Sequence, residues 1–267
     1  MSPQRSAAFF DLDKTIIAKS STLAFSKPFF EGGLLSRRAV LRSAYAQFMF
    51  SINGADHDQL EKMRAYLTQM VAGWDVEVVR QSVAETLHSI IDPIVFDEAV
   101  DLIEEHQAAG RDVIIVSASG TEVVEPIGSM LGVDHVIATT LVAKEGRYTG
   151  DVEFYAYGPN KAKAMRELAA ERGYDLADSY AYSDSETDAP MLEAVGHPFA
   201  VNPDKTLRRM AEENGWPILV FARPVALRRR LGLDTRVGKA AAVAVIAGAV
   251  SAITVALVTR RKHRLAV

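Results

Sequence analysis

The sequence predicts an α/β fold built on a parallel sheet, with a helical module inserted after the first strand and one apolar helix near the C-terminus. Three observations carry this reading. From residue 93 to residue 221 short apolar runs alternate with segments of helical periodicity, the pattern of parallel strands joined by crossover helices. Residues 18–92 read as three or four helical segments, which is far more chain than one crossover needs. Ala240 to Thr259 is a run of 20 residues without a charge.

The first strand is the run Ala7-Ala8-Phe9-Phe10, and Asp11 and Asp13 follow it at once. They therefore fall just past the carboxyl end of a strand, where ligands bind in open α/β sheets. One acid in such a place can attack as a nucleophile while the other moves a proton, provided their surroundings differ.

The inserted module has three helical segments. Leu34 to Phe50 repeats Leu34, Leu35, Val40, Leu41, Tyr45, Phe48 and Met49 at helical spacing, with Ser36 as a possible cap. Asp56 to Val71 repeats Leu60, Met63, Leu67, Met70 and Val71, and Asp75 to Ile91 follows the turn signal Gly73. Together they suggest a cap.

Alternation resumes at Pro93. Ile94 to Ala109 reads as a helix closed by Gly110, Asp112 to Val116 as a strand of mostly β-branched residues, Thr121 to Leu131 as a helix containing Pro126, and His135 to Ala138 as a strand. Residues 141–150 read as a hairpin turning near Gly146. The helix Asn160 to Arg172, the strand Ser179 to Tyr182, a short helix Pro190 to Val195, the strand His197 to Val201, the helix Asp204 to Asn214 and the strand Trp216 to Phe221 complete the domain. The division expected is a core of residues 1–17 and 93–222, a cap of 18–92, a basic linker of 223–239, a transmembrane helix of 240–259 and a basic tail of 260–267.

Composition narrows the classes of function. A chain of 267 residues with 49% apolar residues can build one large domain, and a net charge of −4 gives no general attraction to nucleic acid. The absence of cysteine excludes disulfides, thiolate metal sites and a cysteine nucleophile. At 1.5 Å per residue, Ala240 to Thr259 can cross the roughly 30 Å apolar layer of a bilayer. It is flanked by Lys239 and by Arg260-Arg261-Lys262-His263-Arg264. Met1 to Ser6 has no apolar run of signal-peptide length, so the expectation is a membrane-anchored protein with its folded domain in the cytoplasm. Ala240, Ala244, Gly248, Ala252 and Ala256 line one helix face, a stripe through which two copies could pair as a homodimer.

Asp11-Leu12-Asp13-Lys14-Thr15 after an N-terminal strand resembles the first motif of the haloacid dehalogenase superfamily of phosphohydrolases. Ser117 after the second strand, Lys161 at the start of a helix, and Asp184 with Asp188 after a later strand match its other three motifs in order. The resemblance covers about residues 7–221, is to the phosphoserine phosphatase-like branch, and implies a Rossmann-like core. It further implies that Asp11 is a nucleophile forming an aspartyl-phosphate, that Asp13 is the general acid and base, and that Thr15 buttresses their loop. Ser117, the Ala118 backbone and Lys161 would hold the phosphate. Asp11, the Asp13 carbonyl and Asp184 would hold Mg²⁺, with Asp188 behind them.

Two departures from that branch stand out. Ser20 occupies the position of a substrate-binding glutamate, and Thr187 that of an asparagine. The reading is therefore a Mg²⁺-dependent phosphomonoesterase acting on a small or lipid-linked phosphate ester other than phosphoserine. A phosphotransferase or mutase, and a non-catalytic anchored module that binds phosphometabolites, remain as alternatives.

Overall fold

Four apolar residues in a row leave no face for water, so Ala7–Phe10 (β1) belongs inside a sheet covered on both sides, and all four are buried. The computed structural model describes residues 5–34, 70–222 and 224. In it β1 lies at the centre of a seven-stranded sheet whose other members are Asp112–Gly120 (β2), His135–Lys144 (β3), Arg147–Phe154 (β4), Tyr180–Ser183 (β5), His197–Val201 (β6) and Ile218–Leu219 (β7). The order is β4-β3-β2-β1-β5-β6-β7. Only β3 and β4 pair antiparallel, through a turn in which Glu145 and Gly146 both have positive φ, 52° and 77°, as a tight hairpin turn requires.

The chain runs from β1 to β2 on one side and later returns to β5 on the other. A crevice therefore opens at the carboxyl end of β1, where the direction of winding reverses.

Among the described residues the α-helices are Ser21–Ala24 (α1), Ser26–Glu31 (α2), Val76–Ile91 (α3), Asp97–Ala108 (α4), Thr121–Leu131 (α5), Pro159–Arg172 (α6), Ala189–Leu192 (α7) and Lys205–Asn214 (α8). Most follow the periodicity closely. Asp75 caps α3 by accepting from the N–H groups of Glu77 and Val78, and Asp204 caps α8 through Leu207.

Several boundaries differ from the sequence reading: the strand expected over His135–Ala138 runs on to Lys144, the short helix ends at Leu192, and the last strand is only Ile218–Leu219; two further differences have a physical reason in the hydrogen bonding. The helix expected from Ile94 starts only at Asp97, because the backbone before it bonds elsewhere: Phe96 N–H donates to the Ile16 carbonyl, and Ala18 N–H to that of Ile94. These bonds tie together the points where the insertion leaves the core and returns to it. The second strand runs on to Gly120, but its register against β3 shifts between Ser117 and Gly120. Ala118 and Ser119 thus form a bulge that breaks the ladder at the carboxyl edge.

Of the inserted segment, α1, α2 and α3 are described. The helices expected over 34–50 and 56–71 lie almost wholly outside the described residues. Trp74 packs edge-on against Phe29 of α2 at 5.8 Å between ring centroids. Gly73 N–H donates to the Tyr148 carbonyl, Tyr148 N–H to that of Trp74, and Val76 N–H to that of Gly146, so the start of α3 is docked on the β3–β4 hairpin. The expected transmembrane helix, linker and tail also fall outside the described residues. Among those described, no helix is long and apolar enough to cross a membrane.

Beneath the crevice, aromatic stacking fixes the central strands. Phe10 stacks on Tyr182 at 4.3 Å and 11° between planes, and Tyr182 on Phe199 at 5.0 Å. Arg111 Nε donates to His106 Nδ1 at 2.7 Å, so His106 Nε2 carries the proton and donates to Tyr182 Oη at 2.8 Å. Burial, helped by the Arg111 charge, pushes the His106 pKa down to about 4, which keeps this anchor neutral at physiological pH.

Candidate active site

Asp11 is the first residue past β1, and its N–H donates to the Tyr182 carbonyl of β5 at 2.9 Å. The turn then closes tightly, with the N–H groups of Ile16 and Ile17 both donating to the Leu12 carbonyl and Lys14 held at φ 63°. A lysine in that left-handed conformation is unfavourable, and such strain tends to persist at functional sites. The turn brings Asp11 and Asp13 to the same crevice in different surroundings.

Asp11 is buried against a cation. Lys161, third residue of α6, places its buried Nζ at 2.6 Å from Asp11 Oδ1 and 2.8 Å from Asp188 Oδ2. Burial alone would lower the Lys161 pKa, but the two carboxylates outweigh it and raise it. Burial pushes Asp11 well above the ordinary carboxylate range. Lys161 pulls it back, and Asp188, Asp184 and Asp13 add to the rise.

Asp13 makes no ion pair among the described residues. Its Oδ1 accepts the Ser21 N–H at 2.8 Å and its Oδ2 lies 3.4 Å from Ser119 Oγ. Burial raises its pKa against the lowering effect of these bonds.

The other sequence candidates converge on the same edge. Ser117 is buried and accepts the Ser119 N–H at 3.2 Å. The Ala118 carbonyl is held from behind by Thr139 Oγ1 at 2.7 Å. Asp184 follows β5, and Asp188 accepts the Ser183 hydroxyl at 2.7 Å as well as Lys161. Thr15 is fully buried, and its hydroxyl has no hydrogen-bond partner among the described residues. Thr187 Oγ1 lies 3.1 Å from Ser185 Oγ.

Ser21, Ser119 and Ser183 were not among the candidates drawn from sequence. Ser183 alone had a signal there, as the residue between the strand and Asp184. The others belong to no motif.

Four carboxylates, Asp11, Asp13, Asp184 and Asp188, share this edge with two ammonium groups, those of Lys161 and of Lys14, whose Nζ is 3.8 Å from Asp184 Oδ2. The Asp184 pKa is pushed up to about 7 by burial, with Asp188 adding and Lys14 opposing. Such an uncompensated excess of hard oxygen charge fits a divalent cation. Among the described residues no three acidic or histidine side chains already form a cage. That donor set suits Mg²⁺, which takes few protein ligands and keeps its water.

Comparison with known proteins agrees with this geometry. Residues 8–193 match the haloacid dehalogenase-like hydrolase family. A Streptomyces azureus protein named for inhibition of morphological differentiation is 62% identical over 263 residues, 98% of this chain and 95% of that one. A protein of Mycobacterium tuberculosis named a probable phosphatase is 60% identical over 258 residues, 96% of this chain and 90% of its own. A second protein of that organism, named a phosphoserine phosphatase, is 33% identical and covers 97% of this chain and 82% of itself. Among solved structures, a Bordetella pertussis protein of unknown function superposes with a TM-score of 0.72 at 30% identity, over 81% of this chain and 98% of that one. The family match over most of the chain means that the chain belongs to the haloacid dehalogenase-like hydrolase family.

Proposed function

We propose that this phosphatase hydrolyses a small or lipid-linked phosphate monoester in two steps, with Asp11 as nucleophile and Asp13 as general acid and base. The observation that carries the reading is the contrast between the two carboxyls, one paired with the buried Lys161 at 2.6 Å and the other held by the Ser21 N–H and serine hydroxyls, with no ion pair among the described residues. Lys161 opposes the rise that burial imposes on Asp11 and so favours the ionised form that attacks. An unpaired carboxyl in a desolvated place keeps a proton to give.

In the first step an Asp11 oxygen bonds to phosphorus, the ester P–O bond breaks, and the Asp13 proton passes to the departing oxygen. In the second, Asp13 takes a proton from water whose oxygen attacks phosphorus, the bond to Asp11 breaks, and inorganic phosphate leaves. Lys161 neutralises charge on Asp11 and on the phosphoryl oxygens, while the Ser117 hydroxyl and the Ala118 N–H are donors for those oxygens. Asp11, the Asp13 carbonyl and Asp184 would hold Mg²⁺, with Asp188 supporting them through Lys161; when bound, the ion supplies positive charge to the phosphoryl oxygens. The helical insertion over 18–92 serves as the cap that limits substrate size.

Phosphate release from a panel of small and lipid phosphates tests this. Release without any added acceptor is expected, and release only when an alcohol acceptor is supplied would mean phosphotransfer instead. Exhaustive chelation is expected to lower the rate by about 10³-fold or more, with Mg²⁺ restoring it and Ca²⁺ inhibiting, because Ca²⁺ takes more oxygens at longer distance and can occupy both Asp11 oxygens. Full activity after chelation would sink the metal assignment.

The uncharged stretch 240–259 and its basic flanks support a membrane anchor, and anchoring gains effective concentration for a phosphate presented at a bilayer. Full-length protein is then expected to resist carbonate extraction from membranes, while a chain ending at residue 238 is not retained. Release of the full-length chain by carbonate would argue against the anchor.

A further inference from the structure

The Asp13 carboxyl is gripped by two serines that have no part in the chemistry so far. Ser21, the fully buried first residue of α1, donates its N–H to Asp13 Oδ1 at 2.8 Å. Ser119, in the bulge of β2, has its hydroxyl 3.4 Å from Asp13 Oδ2 and 2.7 Å from Ser21 Oγ. Its own N–H donates to Ser117 Oγ at 3.2 Å.

Each hydroxyl has one proton to donate. The 2.7 Å bond between the two hydroxyls uses one of these protons and leaves the other for Asp13, so the pair of serines supplies the carboxyl with a hydroxyl donor beside the Ser21 N–H. Both carboxyl oxygens are then held, one by the start of the inserted segment and one by the phosphate loop. A carboxyl group turns freely about its last torsion unless both oxygens are engaged, and an acid catalyst acts only when its proton points at the leaving oxygen.

We propose that Ser21 and Ser119 form a positioning latch, which aims the Asp13 carboxyl at the leaving oxygen and ties that aim to the seating of the inserted helices on the phosphate loop. This rests on the reading of Asp13 as the general acid. Neither serine touches the reacting atoms in this account; they act through Asp13.

The test compares two esters in the full-length, Mg²⁺-loaded enzyme. A glycerol phosphate leaves as an alkoxide and needs the proton, whereas p-nitrophenyl phosphate leaves as a stable phenolate and does not. Ser119→Ala is expected to lower kcat by about 10-fold or more on the alkyl ester and by less than about 3-fold on the aryl ester. Ser119→Thr, which keeps the hydroxyl, should restore the alkyl rate, and Ser21→Ala combined with Ser119→Ala should be little worse than either alone. Equal losses on both esters would assign Ser119 to phosphate binding and overturn the latch, as would no loss. Asp13→Asn, run beside them, must show the same ester dependence more strongly; failure there would bring down the acid assignment itself. Hydrogen exchange reads the latch apart from chemistry. The Ser21 amide should exchange about 10-fold faster in Ser119→Ala, and an unchanged rate would overturn the latch even with the acid assignment intact.

Discussion

Asp11→Asn should lower phosphate release by roughly four orders of magnitude or more, because the amide fills the same space but is a poor nucleophile. The folded state should survive the change. Lys161 keeps its second partner, Asp188 Oδ2 at 2.8 Å, so no cation is orphaned. Removing one carboxylate also relieves the crowding that, after burial itself, raises the Asp11 pKa through Asp188, Asp184 and Asp13. A melting temperature close to wild type, with turnover lost in the presence of Mg²⁺, is the expected pair of results. Turnover within tenfold of wild type would remove Asp11 as nucleophile, whatever the fold of the variant.

Much of this site is legible in the sequence because its parts sit at element ends, where local rules are strong. The run Ala7–Phe10 could be placed as a strand from its unbroken apolar character, and that placed Asp11 and Asp13. The helix Thr121–Leu131 has the bounds expected, Pro126 notwithstanding. What could not be read are contacts between residues far apart in sequence that carry no pattern. Ser21 and Ser119 are separated by 98 positions, and a serine in a turn is usually only a turn former. His106 looks like any residue on a helix until the structure shows it bridging Arg111 and Tyr182. The start of α4 was misjudged because propensity sees Val95 and Phe96 but not the Ile16 carbonyl that Phe96 bonds. The β2 bulge is likewise set by the register against β3, which no single strand reveals.

Lys161→Met should damage stability and catalysis together, and the pH dependence of the damage separates this residue from an ordinary surface lysine. Methionine keeps much of the length and loses the charge, so Asp11 Oδ1 and Asp188 Oδ2 lose bonds of 2.6 and 2.8 Å inside a site where both are buried. Removing one partner of a buried pair costs about 3–5 kcal/mol, since the remaining charge stays desolvated. Asp11 can escape part of that cost by taking up a proton. Its folded pKa is already raised by burial, and without Lys161 it rises further. A carboxyl whose folded pKa lies above its unfolded value stabilises the fold at low pH and loses that contribution as pH climbs through the folded pKa. The deficit against wild type should therefore be large at pH 7 and shrink toward pH 5, as thermal melts at the two values would show. Catalysis should fall by about 10²–10³-fold, the scale of losing one charge that stabilises the phosphoryl oxygens. Because protonated Asp11 cannot attack, acidification should recover stability without recovering rate. A variant as stable as wild type at pH 7, or one whose rate returns at pH 5, would mean that Lys161 does not hold Asp11 in its ionised form.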